Sequence, residues 1–360
     1  MIPDIPSPET YLRNLARRPC PWIASEGPFS HTVISSRIRL ARNLAGHKFP
    51  HWANPDELDS IGLEIHQAIL QADSYHGAIF LRMEEFSSRE RNLLKERHLI
   101  SHEMTRSGQS RSVFIPPDEE GSVMINEEDH LRVQVIEPGL SLAGAWSRIQ
   151  RVNTELETLL NFSFSAEYGY LTTCPSNTGT GLRASVMMHL PGLVMTGGLT
   201  GIIKMLQTAG LAVRGFFGEG SEAFGDIYQI SNQVTLGQTE EELIRHVDGY
   251  VKQVAGREMA SRKELFHQAR AKAEDAVFRA CGILTRARMM STPDALQQLS
   301  YLRLGVGYGL VNLSYPKVDE LGLIVQPAHL QILAGQELDE GAQDILRAEC
   351  IRNQLAHYGL

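Results

Sequence analysis

The chain has 360 residues, of which 42% are hydrophobic, and this size and composition fit about two globular domains with sizeable cores. Its formal net charge of -8 argues against a protein that binds nucleic acid through overall positive charge. No stretch of the sequence is long and apolar enough to predict a membrane span, and the first residues lack the basic start and apolar block of a secretory signal.

The cysteines are widely spaced and form no Cys-x-x-Cys pair; they are Cys20, Cys174, Cys281 and Cys350. This spacing predicts neither a disulfide framework nor a zinc site. We therefore expect a cytoplasmic protein in a reducing compartment, with no metal site built from protein ligands.

Residues 1–30 are rich in proline and polar residues, and we expect an extension with one short amphipathic helix around residues 9–17. A strand is predicted over residues 31–42, because β-branched residues dominate it. Arg37 and Arg39 are two positions apart and therefore lie on one face of that strand. A solvated face is the simplest interpretation, but the neighbouring residues are typical of a partly buried strand, where unpaired arginines are costly.

Apolar spacing and turn residues predict the next elements. Helices are expected over residues 55–72, 88–99 and 140–160, and strands over 78–83, 112–115, 122–126 and 131–136. The strands over 112–115 and 122–126 would form a hairpin. His98 falls at the end of a predicted helix, where a histidine commonly interacts with the helix dipole.

Four ionisable residues follow one another in the sequence Asn126-Glu-Glu-Asp-His130, between two predicted strands. So many charges indicate contacts with cations or with solvent, and a charged surface turn is the alternative. Arg132 shares the polar face of the second strand with Gln134, so its charge points away from the expected core.

The most distinctive stretch is Tyr170-Leu-Thr-Thr-Cys-Pro-Ser-Asn-Thr-Gly-Thr-Gly-Leu-Arg183. We expect a strand that stops at Cys174, a glycine-rich turn over residues 177–181, and a helix over 182–190 with Arg183 in its first turn. Backbone amides and the helix dipole at such a junction bind anions and would stabilise a thiolate at Cys174. The stretch is therefore predicted to form the phosphate-side wall of an active site.

A glycine-rich segment follows a predicted helix over residues 199–209 and a predicted strand over 211–215, which carries Arg214. Residues 215–225 contain four glycines and predict a mobile flap with Glu219 at its middle. The spacing of Gly218 and Gly220 matches a dinucleotide fingerprint, but a strand over 226–236 is expected next instead of a helix, so we reject that match.

From residue 239 the pattern is helical. Thr239-Glu-Glu-Glu242 resembles a capping box, and helices are predicted over residues 239–280, 292–304, 316–324, 327–333 and 341–357. The expected fold class is α+β, with a mixed domain over residues 31–240 and an all-helical domain over 241–360.

Several arginines lie at the ends of predicted strands or helices; they are Arg37, Arg39, Arg132, Arg183 and Arg214. Guanidinium groups bind phosphate oxygens bidentately, so a polyphosphate would account for this set. The sequence contains neither a P-loop nor the signatures of protein kinases, so a nucleotide would be held by another scheme.

Three blocks of the sequence resemble the diagnostic motifs of the phosphagen (ATP:guanidino) kinases, in the same order. They are Ser35-Ser-Arg-Ile-Arg39, Asn126-Glu-Glu-Asp-His-Leu-Arg132, and Cys174-Pro-Ser-Asn-Thr-Gly-Thr180 with Leu182-Arg183. Gly181-Leu-Arg-Ala-Ser-Val-Met-Met-His-Leu-Pro191 and Gly218-Glu-Gly-Ser-Glu222 resemble a bacterial branch of the family that phosphorylates arginine residues of proteins. The resemblance implies a catalytic domain with an antiparallel sheet flanked by helices, followed by a helical domain.

The resemblance also implies roles for individual residues. The five arginines would hold the phosphates of ATP, and His98 would pack on the adenine. Glu128 and Glu219 would flank the acceptor guanidinium, with Cys174 near its far nitrogen. Since arginine has a pKa above about 12, Glu128 would orient the guanidinium and accept a proton late, and catalysis would consist mainly of positioning. Mg²⁺ would bridge phosphate oxygens and bind few or no protein groups.

Partners are implied in the same way. Only about 34 residues precede Ser35, too few for the helical domain that covers small substrates in the family, so arginine within a protein is the expected acceptor. We further expect a homodimer, an activator protein, a Clp-type unfoldase or protease as a partner, and a role in protein quality control. We expect binding neither to nucleic acid nor to membranes. The bacterial branch recognises phosphoarginine through an Arg-Asp pair and further arginines, but Gln343-Asp344-Ile-Leu-Arg347 retains only Asp344 and Arg347 for such an allosteric site.

Two alternatives remain open from the sequence. The first is a kinase for small free guanidino compounds, which shares the chemistry but not the acceptor. The second is a non-catalytic adaptor that binds arginine-containing or phosphorylated clients for a protease. Loss of a catalytic carboxylate would favour the adaptor, but Glu128 and Glu219 are both present.

Overall fold

The computed structural model describes residues 8–106, 108–215 and 224–359. The strands are β1 (Val33–Arg42), β2 (Ile79–Arg82), β3 (Ser112–Ile115), β4 (Gly121–Ile125), β5 (Leu131–Pro138), β6 (Phe164–Ser165), β7 (Gly169–Tyr170), β8 (Leu182–His189), β9 (Leu211–Gly215) and β10 (Ile227–Asn232). The α-helices are α1 (Pro8–Arg17), α2 (Pro21–Ala24), α3 (Pro55–Gln71), α4 (Ser88–Glu96), α5 (Leu142–Leu159), α6 (Pro191–Met195), α7 (Leu199–Thr208), α8 (Glu240–Gln268), α9 (Arg270–Arg286), α10 (Thr292–Gly307), α11 (Tyr315–Ile324), α12 (Pro327–Ala334) and α13 (Glu340–Ala356).

Eight of the strands form one antiparallel sheet in the order β2-β3-β4-β5-β1-β8-β10-β9. Strand β1 is central, and its Arg39 pairs with Gln134 of β5 on one side and with Arg183 of β8 on the other. Farther along the sheet, Arg214 of β9 pairs with Gln229 of β10. The topology therefore places residues that are distant in the sequence on adjacent strands.

The main apolar core covers one face of the sheet. Helices α3, α5, α7 and α8 contribute Ile65, Ile149, Ile202 and Val247 to this core. Strand β1 contributes the buried side chains of Ile38 and Leu40. Because side chains alternate along a strand, Arg37 and Arg39 must point to the opposite face. The face that carries the arginines is therefore the one not covered by these four helices.

The C-terminal helices form a second core, to which Val277, Leu302, Leu321 and Ile351 contribute. The N-terminal segment joins the two parts of the molecule, because α1 packs through Leu12 and Leu15 in a cluster that includes residues of α4 and α12. No helix in the described ranges is both long and apolar enough to pass through a membrane.

The α+β class, the antiparallel sheet and the helical C-terminal part are as predicted. The strand containing Arg37, the hairpin of β3 and β4, and the N-terminal helix α1 are confirmed. The capping boxes that begin α4 and α8, at Ser87 and Thr239, are also present. The predicted helix over residues 239–280 is two helices, since Ala269 leaves helical geometry with φ -135° and ψ 44°. The domain division at residue 240 stays a prediction.

The prediction of a helix over residues 182–190 is wrong. This segment is strand β8, which lies between β1 and β10, and Arg183 is a strand residue and not part of a helix. Every side chain of β8 except that of Arg183 is buried. A strand buried on both faces has a continuous apolar run, which periodicity cannot distinguish from a short buried helix.

Candidate active site

The five arginines that the sequence analysis assigned to phosphate binding line one cleft on the open face of the sheet. Arg39 of β1 lies beside Arg183 of β8, and Arg37 is two residues before Arg39. Arg132 of β5 and Arg214 of β9 extend the set to both sides. The sheet thus brings together cations that come from four different strands.

Arg37 and Arg39 are buried cations that lie close to other arginines. Among the described residues, neither forms an ion pair with Asp or Glu, although Arg37 Nη2 donates to Gln229 Oε1 at 3.1 Å. Burial and then the charge of Arg183 lower the pKa of Arg37 to about 10. Burial, followed by Arg37, Arg183 and Arg132, lowers the pKa of Arg39 well below its ordinary value. A polyanion would relieve this repulsion, so the cleft is electrostatically suited to bind one.

Arg132 is in the opposite electrostatic environment. It contacts three consecutive carboxylates, with Nη1 2.6 Å from Glu127 Oε2 and Nη2 2.5 Å from Glu128 Oε2 and 3.1 Å from Asp129 Oδ2. Burial lowers the pKa of Arg132, but the carboxylates outweigh burial and raise the pKa above its ordinary value. Of the two environments expected for the acidic segment, residues 127–130, the structure shows contact with a cation, Arg132.

Glu128 differs from the other two carboxylates in its access to solvent. Its side chain is 42% exposed, whereas that of Glu127 is 1% exposed and that of Asp129 is 0% exposed. Only Glu128 of these three can contact a substrate without rearrangement. The exposure of Glu128 is therefore compatible with the predicted contact between its carboxylate and the acceptor guanidinium. That role of Glu128 stays a prediction.

Asp129 joins the acidic segment to the stretch that contains Cys174. Its Oδ1 accepts hydrogen bonds from Asn43 Nδ2 at 2.9 Å and from the backbone N–H of Thr173 at 2.8 Å. Cys174, the residue after Thr173, is therefore held close to the acidic segment, although it is not among the residues that line the cleft.

The turn after Cys174 does not begin an α-helix, contrary to the prediction. A short 3₁₀ turn over Pro175–Asn177 follows Cys174, and Cys174 Sγ lies 3.0 Å from Ser176 Oγ. The side chain of Thr235 donates to the carbonyl oxygens of Ser176 and Thr178, at 3.0 and 2.7 Å, and fixes the turn. The residues after Cys174 therefore do not provide the α-helix dipole that was expected to stabilise a thiolate.

His98 lines the cleft near Arg37 and is a neutral imidazole at physiological pH. Burial, and then the charges of Arg37, Lys95 and Arg39, lower the pKa of His98 to about 3. Helix α4 ends at Glu96, so His98 is not in the helix; it has a positive φ of 59°. Its ring meets that of Trp22 edge to face at 5.1 Å, and its predicted contact with adenine stays a prediction.

The remaining predicted site residues are Glu219, Asp344 and Arg347. Glu219 and the centre of the predicted flap lie outside the described residues. Arg347 is 1% exposed and donates to the carbonyl oxygens of Val325 and Met290, at 2.9 and 2.7 Å, and to Asp344 Oδ1 at 2.5 Å. In this conformation Arg347 connects helices of the C-terminal part, and the phosphoarginine site at Asp344 and Arg347 stays a prediction.

Four residues of the site were not assigned from the sequence: Asn43, Glu127, Asp129 and Gln229. The run of charges at residues 127–130 was a usable signal for Glu127 and Asp129, because it indicated contacts with cations or with solvent. Asn43 and Gln229 had no local signal. The described residues contain no group of three or more His, Cys, Asp or Glu side chains arranged to hold a metal ion.

Two family descriptions match consecutive parts of the chain. Residues 62–261 match the model of the "ATP:guanido phosphotransferase, C-terminal catalytic domain". Residues 270–359 match that of the "Protein-arginine kinase McsB C-terminal domain". The site described above lies largely within the first of these segments.

Similar proteins cover nearly the whole chain. The protein-arginine kinase of Pelotomaculum thermopropionicum is 43% identical over 340 residues, which cover 93% of this chain and 96% of that relative. The protein-arginine kinase of Halothermothrix orenii is 42% identical over 338 residues, with coverage of 93% and 96%. Among solved structures, a duplicated taurocyamine kinase from Schistosoma mansoni with transition-state analogue components matches with a TM-score of 0.57 and 28% identity, over 64% of this chain and 33% of that one. A lombricine kinase matches in fold with a TM-score of 0.58 and 24% identity, over 67% of this chain and 71% of that one.

Proposed function

The chain belongs to the ATP:guanido phosphotransferase family, and from this premise we propose that it transfers the γ-phosphoryl group of ATP to the guanidino group of arginine residues in proteins. Its relatives of similar length are protein-arginine kinases. The observation that carries the proposal is the pair Arg37 and Arg39, which have no carboxylate partner among the described residues, in the same cleft as the exposed carboxylate of Glu128. An anionic donor and a cationic acceptor thus have adjacent places in one cleft.

The donor is MgATP. Arg37, Arg39, Arg132, Arg183 and Arg214 bind its phosphates, and the neutral ring of His98 offers an uncharged surface to the adenine. Guanidinium groups stabilise the charge that spreads over the phosphoryl oxygens during transfer. Mg²⁺ arrives with the nucleotide, because it prefers phosphate oxygens and water as ligands.

The acceptor is an arginine side chain placed between the exposed carboxylate of Glu128 and Cys174, with Glu219 as a second carboxylate. Glu128 accepts N–H donors of the guanidinium and so orients one nitrogen toward the γ-phosphorus. The new N–P bond forms as the bond from phosphorus to the bridging oxygen breaks, ADP leaves, and the released proton passes to Glu128. Since Glu128 is also paired with Arg132, the same carboxylate connects donor and acceptor sites.

Mass spectrometry of an unfolded arginine-containing protein after incubation with the enzyme and MgATP tests this function. We expect acid-labile phosphoryl adducts on arginine residues, and free arginine to be a poor acceptor. Phosphorylation of free arginine alone would identify a small-molecule guanidino kinase. Absence of any transfer, with retained binding of arginine-containing clients, would identify an adaptor.

We also propose that the protein is a cytoplasmic homodimer and that an activator protein regulates it. Its phosphorylation of proteins would mark them for quality control and for degradation by a Clp-type unfoldase or protease. The support is the match of residues 270–359 to the C-terminal domain of protein-arginine kinases. Size-exclusion chromatography with light scattering tests the dimer, and degradation of a phosphorylated client by a reconstituted Clp-type protease tests the marking.

A further inference from the structure

A group of aromatic side chains lies on the surface near the proposed acceptor site, and the catalytic scheme does not use it. We call residues 47–52 the aromatic loop. Within it, the rings of Phe49 and Trp52 are nearly parallel, at 7°, with centroids 6.4 Å apart, and the His51 ring lies 4.4 Å from that of Trp52. Trp52 is 71% exposed. An exposed apolar cluster of this kind is a common mark of an interaction site.

The aromatic loop is fastened to the acidic segment that carries Glu128. His130 Nδ1 accepts the backbone N–H of Leu44 at 3.0 Å, and His130 Nε2 donates to the carbonyl oxygen of Lys48 at 2.9 Å. The His130 ring also contacts the ring of Phe49 edge to face at 6.4 Å. The loop thus has a fixed position relative to Glu128, which is two residues from His130.

The beginning of α3 continues this surface with negative charge. Asn126 Nδ2 donates to the carbonyl oxygen of Leu58 at 2.9 Å, so that this turn of α3 abuts the acidic segment. Asp56 and Asp59 are exposed there. The cation of the aromatic loop, Lys48, is already paired with Glu57 at 2.8 Å. The surface therefore combines exposed aromatic rings with excess negative charge.

We propose that the aromatic loop and the beginning of α3 form a docking surface for the polypeptide segment that flanks the acceptor arginine. The occupant is an extended, unfolded segment with apolar and basic side chains near that arginine. Apolar side chains would pack on Phe49 and Trp52, and basic side chains would pair with Asp56 and Asp59. Folded proteins bury most apolar side chains, so the surface selects unfolded chains.

The negative charge of the surface favours this occupant over a second copy of the chain. A symmetric dimer through this surface would bring two copies of the same negatively charged surface together, because a twofold interface uses the same patch on both copies. Like charges across an interface are unfavourable, whereas a basic client gains attraction. The inference rests on the proposed function and adds a substrate class to it.

Steady-state kinetics with two peptides tests the proposal. Both carry one arginine; in the first it is flanked by leucine, phenylalanine and lysine, and in the second by glycine and serine. We expect Trp52→Ala to raise KM for the first peptide by about tenfold at unchanged kcat, as for loss of an aromatic anchor. KM for the second peptide should not change. A double variant, Asp56→Asn with Asp59→Asn, should also raise KM for the first peptide, with weaker dependence on salt.

The matched control is Phe278→Ala on α9, because Phe278 is also an exposed aromatic side chain, at 55%. It should leave both KM values unchanged. Iodide quenching provides a readout without turnover, since Trp22 is 3% exposed, Trp146 is partly buried and Trp52 is 71% exposed. Without ATP, the first peptide should protect tryptophan from iodide in the unmodified enzyme but not in Trp52→Ala.

Equal KM values for the two peptides, with normal turnover and no protection from iodide, would overturn the docking surface alone. A change of sedimentation in Trp52→Ala with unchanged peptide kinetics would also overturn it, because it would show a contact between copies of the chain. Failure of the unmodified enzyme on both peptides, with phosphorylation of free arginine, would overturn the proposed function itself.

Discussion

Arg39 and Arg132 lie in one cleft but have opposite electrostatic environments. Arg39 faces other arginines and has a pKa well below its ordinary value because of burial and like charge. Arg132 is surrounded by Glu127, Glu128 and Asp129. The charge of Arg39 is therefore available to an anionic ligand, while that of Arg132 also holds the acidic segment in place. Removal of Arg132 should therefore lower the stability of the protein, whereas removal of Arg39 should not.

Arg39→Ala should weaken ATP binding without lowering the free energy of unfolding of the free protein. A charged hydrogen bond contributes about 1.5–3 kcal/mol, so we expect Kd for ATP to rise by about ten- to a hundredfold, measured by calorimetry. Stability should not fall, because the variant removes repulsion. Arg132→Ala is the matched comparison and should destabilise by about 3 kcal/mol, since it leaves carboxylates buried without their cation. Equal destabilisation by both variants would contradict the assignment.

Glu128→Ala should strongly reduce phosphoryl transfer while the protein stays folded. The side chain is partly exposed, and the other two carboxylates still pair with Arg132, so stability should change by less than about 1 kcal/mol. Turnover should fall by about 10²–10⁴-fold, as for loss of an acid–base group. The control is Glu274→Ala, which breaks an exposed ion pair with Arg270 on α9 and should leave turnover unchanged. Normal turnover of Glu128→Ala would refute the role of Glu128.

The glycine-rich turn over residues 177–181 leads directly into strand β8 and does not begin a helix. Gly181 has φ +64°, and a Cβ on it would lie 2.6 Å from the carbonyl oxygen of Ala41 in β1. The residue is needed because the turn approaches the central strand closely. Its role is therefore to position Arg183 next to Arg39, and not to bind an anion through a helix end.

Gly181→Ala should destabilise the protein by more than about 1 kcal/mol, because alanine resists the left-handed conformation and its Cβ would meet the backbone of β1. Gly256→Ala on α8 is the control, since nothing lies within 4 Å of a Cβ there. That exposed helical position should gain about 0.5–1 kcal/mol. Urea denaturation measures both, and a neutral Gly181→Ala would show that the turn tolerates other conformations.

Two buried histidines, His98 and His189, should make the free energy of unfolding of the protein depend on pH. His189 on β8 is fully buried, and its Nε2 lies 2.9 Å from Ser300 Oγ on α10. Burial, and then Arg303 and Arg262, lower its pKa well below the ordinary value. The pKa of His98 is lowered to about 3. Both side chains are therefore neutral in the native state under conditions in which the unfolded chain takes up protons.

Stability should fall as the pH decreases below about 6.5, the ordinary pKa of histidine. Between that value and the native pKa, the unfolded state binds more protons, so each group contributes up to about 1.4 kcal/mol per pH unit. Urea denaturation between about pH 7.5 and about pH 5.5 measures the slope. His189→Gln should reduce the slope, whereas His357→Gln at an exposed position should not. An equal slope in all three proteins would contradict the prediction.

Local sequence determined the elements whose signals lie within a few residues. The two-residue spacing in β1 placed Arg37 and Arg39 on one face, a capping box marked the beginning of α8, and the run of charges at residues 127–130 indicated contacts with cations or with solvent. Three motif blocks together indicated the family and its chemistry. The strand face, the cap and the charge run depend on backbone periodicity, capping and local charge, which act before the chain is folded, whereas the family was indicated by resemblance alone.

Tertiary structure alone decided the features that depend on distant neighbours. Residues 182–190 could be assigned as a strand only from their place between β1 and β10, because burial on both faces removes the alternation of a strand. Asp129 joins Asn43 to Thr173, and Trp22 packs on His98, although nothing in the sequence relates these positions. The physical reason is that hydrogen bonds and packing between remote segments are set by the assembled sheet, and the local sequence of each segment does not specify its partner.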